Sequence, residues 1–174
     1  MNTFDLDAQY IAHTYRRFPL EIVSGKGSLV RGADGKEYID LGSGIAVNIF
    51  GLADEGWTAA VTQQLAHFSH SSNLYYAAPT ARLAQMLCER TGMRRVFFSN
   101  SGAEANECAI KVARKWAAQE KGEAYYNIIT LKNSFHGRTL ATLAATAQDC
   151  YHRDYRPLPS GFLAADVGDA EGME

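Results

Sequence analysis

Phe97–Trp116 reads FFSNSGAEANECAIKVARKW, and this stretch decides the fold. An apolar run stops at a small polar turn, Ser99-Asn100-Ser101-Gly102, which opens straight into an amphipathic helix. Such a turn gathers unpaired backbone N–H groups at the positive end of a helix dipole, a setting that suits phosphate. Downstream lies a second string, Asn133-Ser134-Phe135-His136-Gly137-Arg138-Thr139, with an aromatic face, a glycine and a guanidinium in close succession. Together the strings describe a site for a flat, phosphorylated ring cofactor and a carboxylate substrate.

Each string alone has a plainer reading. Ser101 is then an ordinary N-cap with Glu104 supporting the first turn, Phe135 is packing, and Arg138 is a solvated surface charge. Their joint placement favours the site. Arg95–Phe98 is expected as a short buried strand, 103–121 as a helix burying Ala105, Cys108, Ala109, Val112 and Trp116, and Tyr126–Leu131 as the next strand. That is one βαβ unit and a parallel strand pair. Both strings then fall at C-terminal strand ends, where open α/β sheets place ligands. Gly102 admits an anion close to the backbone, Ser101 adds a hydroxyl donor, Phe135 can stack on a ring, and Arg138 can grip a carboxylate through two N–H groups.

The flanking sequence supplies the rest of the architecture. Residues 5–16 are expected as a lead-in helix ended by Arg17-Phe18-Pro19, since a residue before proline avoids helical angles. Leu20–Leu41 reads as short strands with turns at Gly25-Lys26-Gly27 and Ala33-Asp34-Gly35-Lys36. The Gly25-x-Gly27 spacing lacks a third glycine and precedes a strand, so it is a turn and not a dinucleotide fingerprint. Gly42-Ser43-Gly44 leads into the apolar run Ile45–Phe50. Two amphipathic helices follow. One spans 57–68 with Ala60, Val61, Gln64, Leu65 and Phe68 near one face, and one starts after Pro79 with Leu83, Met86 and Leu87 inward. Pro157–Gly161 is loop chemistry, and 169–174 resembles the start of a helix with no closing element after it. Two parallel strands do not complete a doubly wound sheet, so the architecture is expected to be cut within a domain.

Composition narrows the function classes. The 174 residues are 47% hydrophobic and 21% charged, values typical of a globular chain. A net charge of −2 without a basic stripe argues against nucleic acid. No apolar run approaches the roughly 18 residues that span a membrane. The acidic N-terminus MNTFDLDAQY is unlike a signal peptide, which gives an expectation of cytoplasmic location. Cys88, Cys108 and Cys150 are odd in number and lack a CxxC pair, so neither a disulfide framework nor a zinc site is expected. His67 and His70 share a ligand-like spacing, but no carboxylate or cysteine completes a metal set beside them.

Read together, SNSGAEANECAIKVARKW and NSFHGRTLATLAATAQ resemble the class III, pyridoxal-phosphate-dependent aminotransferases. Gly35-Lys36-Glu37-Tyr38-Ile39-Asp40, Gly44-Ile45-Ala46-Val47 and His70–Tyr76 extend the likeness nearly end to end. The resemblance implies an α/β fold of the PLP-dependent transferase type (fold type I), truncated within the large domain. Residues 1–50 would be a short helix and β-meander of the small domain, and 51–174 the first part of the large PLP-binding domain. It implies pyridoxal 5'-phosphate as cofactor, held by Ser101, Gly102, Ala103, Phe135 and His136. Arg138 would hold the substrate α-carboxylate, and Ile45 would be an apolar wall near the substrate.

The implied reaction moves the δ-amino group of N-acetylornithine to 2-oxoglutarate in arginine biosynthesis, in a homodimer. Alternatives are ornithine, 4-aminobutyrate or succinyldiaminopimelate as donor, or a non-catalytic interaction module. After Gly-Ile-Ala-Val the family pattern Gly-His-x-His-Pro is replaced by Gly51–Trp57, so the loop and helix entry there are expected to be rebuilt. The family's cofactor-holding lysine lies further along. Lys111 and Lys115 belong to the helix and Lys132 precedes the Phe135 loop, so this chain alone is expected to be inactive.

Overall fold

A computed structural model describes residues 1–173. The chain forms two compact units, Met1–Ala77 and a second beginning at Ala78. This division falls later than the 50/51 boundary drawn from the sequence. Self-packing of a stretch and its membership of a larger domain are different properties.

In the first unit, helix α1 (Thr3–Tyr10) starts at a reciprocal cap between Asn2 and Asp5. It ends at Ile11, whose backbone is extended, so the helix is shorter than the 5–16 expected. The meander is as read: β1 (Ile22–Lys26), β2 (Leu29–Gly32) and β3 (Glu37–Ile39) pair antiparallel in that order. The second turn is pinned by Asp34, whose carboxylate accepts from the Lys36 amide at 3.1 Å and the Tyr38 hydroxyl at 2.8 Å.

Ser43–Ala46 makes a short helical turn, α2, in which Ser43, Gly44, Ile45 and Ala46 all have positive φ. The Gly51–Trp57 segment closes onto the meander. Gly27 and Leu52 exchange two backbone hydrogen bonds of 2.8 and 2.9 Å. A Cβ on Gly51 would lie 2.9 Å from Gly27 Cα, so only glycine allows this approach. Asp54 then caps α3 (Glu55–His67) by accepting from the Trp57 amide at 2.7 Å.

The second unit opens with α4 (Ala78–Thr91), starting just before Pro79. Arg95–Phe98 is not a strand, and Phe97 and Phe98 are exposed. An apolar run pairs only where a neighbouring strand is present to meet it. Helix α5 (Gly102–Glu120) matches the expected helix but buries a different stripe. Ala103, Asn106, Glu107, Cys108, Ile110, Arg114 and Ala117 are the covered or half-covered positions, with Ile110 buried. Of the stripe expected inside, Ala105, Ala109, Val112 and Trp116 are exposed and only Cys108 is partly covered. The expected inner faces of α3 and α4 are also largely bare: Val61, Leu65, Phe68, Leu83, Met86 and Leu87 are exposed.

Strand β4 (Ile128–Leu131) does pair in parallel, but with β5 (Phe162–Ala165) and not with Arg95–Phe98. The crossover between them carries α6 (Leu140–Ala145), an element absent from the sequence reading. Met173 ends a single 3₁₀ turn from Glu171, and Glu174 of the expected final helix lies outside the described residues. The core of this unit is small: Ile110, Leu143, Ala145 and Ala165, with Thr142 and Thr146 fully buried.

Candidate functional site

Ser101 is extended and caps α5, its hydroxyl accepting from the Glu104 amide at 3.2 Å. Glu104 turns its carboxylate back to accept from the Asn100 amide at 2.6 Å and from Asn100 Nδ2 at 3.4 Å. With those donors occupied, the amides of Gly102 and Ala103 remain as first-turn donors that a helix cannot satisfy internally. A Cβ built on Gly102 meets nothing within 4 Å, so an anion can approach them. The turn therefore fits a phosphate.

The second string packs onto this turn through Gly137. At φ 138° a Cβ there would lie 2.6 Å from Thr142 Oγ1 and 2.7 Å from Ala103 Cβ, so the position excludes any larger residue. His136 is fixed through its backbone. Its carbonyl accepts from Asn106 Nδ2 at 2.8 Å, and its amide donates to Thr146 Oγ1 at 2.9 Å. Thr146 in turn donates to the Thr142 carbonyl at 2.9 Å.

Thr139 caps α6 with a reciprocal bond to Thr142, and its hydroxyl donates to Glu107 on α5. His152 holds the end of α6 by donating from Nε2 towards the Leu143 and Thr146 carbonyls, at 2.9 and 2.7 Å. The imidazole of His136 lines a groove of about 270 Å³ beside α5 and β4, and its Nε2 is buried without a partner. Ser134 Oγ is a second buried atom without a partner.

Arg138 follows at once. Its guanidinium lies over two rings, 5.4 Å from the centre of Phe135 and 4.6 Å from that of Tyr151. Stacking of this kind restrains a guanidinium while leaving its N–H edges free for a planar carboxylate. Phe135 is exposed, so its ring is available to a ligand.

Ser101, Gly102, Ala103, Phe135, His136 and Arg138 are thus brought into one packed assembly. Ile45 belongs to the first unit, where it is 94% exposed at φ 60° and ψ 55°. Tyr151, Asn106, Thr139, Thr142 and Thr146 escaped the sequence reading. Thr139-x-x-Thr142 before an apolar run carries a visible capping signal. Tyr151 sits in a 3₁₀ turn, and no periodicity points to it.

Comparison with known proteins gives the family of the chain. Residues 10–174 match the family described as aminotransferase class-III. The acetylornithine aminotransferase of Haemophilus ducreyi is 53% identical over 157 residues, covering 90% of this chain and 40% of that protein. The acetylornithine aminotransferase of Methanocaldococcus jannaschii is 43% identical over 173 residues, covering 99% of this chain and 44% of that protein.

Among solved structures, the ornithine aminotransferase of Toxoplasma gondii superposes with a TM-score of 0.88 at 29% identity, covering 94% of this chain and 39% of its own. That structure carries PLP at partial occupancy in its active site. The omega transaminase of Pseudomonas jessenii, solved in complex with PMP, gives 0.86 at 28% identity, covering 95% of this chain and 39% of its own. This chain therefore spans about two fifths of the length of the relatives it matches. The α/β architecture is that of a truncated fold type I domain, and the chain belongs to the class III aminotransferases.

Proposed function

We propose that this chain carries the N-terminal share of a pyridoxal-phosphate-dependent aminotransferase site. One observation carries the reading: Gly137 seats the Phe135–Arg138 loop on the first turn of α5, so open amides, an exposed aromatic face and a stacked guanidinium belong to one assembly. Gly102 and Ala103 would hold the cofactor phosphate through their amides, with Ser101 fixing the turn. Phe135 would face the ring, and His136 would set the loop. Arg138 would orient the substrate α-carboxylate, restrained by Tyr151. When bound, the cofactor supplies the electron sink for amino-group transfer.

Similarity to acetylornithine aminotransferases supports N-acetylornithine as donor; on this proposal 2-oxoglutarate is the acceptor and the reaction serves arginine biosynthesis in the cytoplasm. On this reading 1–50 belongs to the small domain and 51–174 to the large one. The complete protein is a homodimer with Ile45 walling the substrate, and the 174-residue chain alone does not turn over. The test is a titration of PLP into the chain, followed by intrinsic fluorescence and calorimetry. Saturable binding is expected, and Gly102→Asp should weaken it at least tenfold by placing a carboxylate at the amides. Equal binding by pyridoxal without its phosphate would sink the phosphate-turn assignment.

A further inference from the structure

The turn between β2 and β3 contains Asp34-Gly35, a step with a chemistry of its own. Glycine has no side chain to shield its backbone nitrogen, so that nitrogen can attack the aspartate Cγ. The N–Cγ bond forms, the Cγ–OH bond breaks and water leaves, closing a five-membered succinimide. Water then reopens the ring at either carbonyl. One product is the original chain. The other is isoaspartate, whose backbone runs through the side-chain carbons, with no net change in composition. The attack needs a neutral carboxyl, since a carboxylate is a poor electrophile, and a nitrogen free to give up its proton.

The folded turn opposes each requirement. The Gly35 N–H is engaged, donating to the Gly32 carbonyl at 3.0 Å. Both Asp34 oxygens are committed: Oδ1 accepts from the Lys36 amide at 3.1 Å, and Oδ2 from the Tyr38 hydroxyl at 2.8 Å. Lys36 Nζ adds a cation 3.7 Å from Oδ2. Hydrogen bonds to a carboxylate favour its charged form. Accordingly the Tyr38 hydroxyl first, and the Lys36 amide second, hold the Asp34 carboxyl below its usual range. Gly32 makes room for the pose, because a Cβ there would lie 2.5 Å from Asp34 Oδ1. Tyr38 is set in place by strand pairing, opposite Val30 of β2.

We propose that Asp34-Gly35 is a self-modification site, isomerising through a succinimide, that the folded meander keeps closed with the Tyr38 hydroxyl as its guard. Isomerisation adds a backbone carbon between β2 and β3 and so slips the Arg31–Glu37 and Val30–Tyr38 pairs. The guard therefore protects the strand pairing that positions it. The proposal rests on the meander alone and stands whether or not the chain binds PLP.

The experiment incubates the whole chain in warm neutral buffer, folded and in unfolding guanidinium chloride, beside folded Tyr38→Phe and Asp34→Glu variants. Isoaspartate at position 34 is counted by electron-transfer fragmentation and by resistance to a protease that cleaves before aspartate. Formation at least tenfold faster in the unfolded chain than in the folded one is expected. Tyr38→Phe, which keeps the ring and removes one oxygen, should isomerise at least threefold faster than the parent while β2–β3 amides stay protected. Asp34→Glu would need a six-membered ring and should form none. Equal rates in the folded and unfolded parent overturn the proposal. So does a Tyr38→Phe chain that keeps its meander protected and isomerises no faster than the parent.

Discussion

Two apolar segments of similar composition meet opposite fates in this molecule. Leu140–Ala145 buries Leu143 and Ala145, while Ile45–Phe50 leaves Ile45, Val47, Ile49 and Phe50 exposed. The difference lies in what satisfies the backbone around each. In the first case Thr139, Thr142 and Thr146 close the polar groups of α6 locally, Asn106 and Glu107 tie the loop to α5, and the helix can be buried. In the second, a run of left-handed residues makes a turn whose apolar side chains stay exposed, and Ile45 holds a conformation that a β-branched side chain disfavours. In these two segments burial goes with completed hydrogen bonding, and hydrophobicity alone does not secure it.

Gly137 offers the sharpest way to break that contrast. Gly137→Ala forces a methyl into Ala103 and Thr142 at an unfavourable φ and should cost about 3 kcal/mol. Amide exchange should quicken through α5, α6 and the His136 loop while the β1–β3 meander is unchanged. Gly102→Ala, where the added methyl meets open space, should shift stability by no more than about 0.5 kcal/mol. Equal losses in the two variants would refute the idea that packing on Ala103 holds the site together.

Thr146→Val comes next in size. Valine keeps the volume, but the His136 amide loses its acceptor in a fully buried setting. The expected loss is about 1–3 kcal/mol in urea unfolding, with His136 and Asn106 amide signals shifting first. A neutral result would mean that shape rather than hydrogen bonding buries α6.

The smallest effect sits in the first unit. The Tyr38 hydroxyl and then the Lys36 amide hold the Asp34 carboxyl below the usual carboxylate range, and Asp34 raises the Tyr38 phenol. A lowered acid stabilises the fold fully above its unfolded range, and that contribution is lost as pH falls through the lowered value. The raised phenol contributes below its usual range and is lost as pH rises through the raised value. Turn amides at Gly35 and Lys36 should therefore be most protected, relative to their intrinsic exchange rates, between those limits, with Asp34→Asn flattening the acid limb. Asp34 is exposed and Tyr38 only half-buried, so the change should be slight; an unchanged acid limb in Asp34→Asn would remove Asp34 from the account.

Much of this molecule was readable in the residues. The Ser101 cap, the turn at Gly102, the extent of α5, the three-stranded meander and the juxtaposition of Phe135 with Arg138 follow from signals confined to a few neighbouring positions. The site residues that were missed act across sequence. Asn106 reaches His136, Tyr151 stacks on Arg138, and Thr146 receives the His136 amide, contacts that no local periodicity encodes.

What the sequence determined by itself is local: caps, turns and helix lengths, because these depend on interactions within one or two turns of chain. Tertiary structure alone decided which stripe of α5 is buried, whether Arg95–Phe98 becomes a strand, and which strand β4 takes as partner. Two stripes of α5 are apolar enough to be covered, and an apolar run pairs with whichever edge reaches it. Such choices are made by the surfaces present to receive them. In this chain α6, with Phe162 of β5 under Arg114, covers part of one stripe, and Trp116 on the other is left exposed.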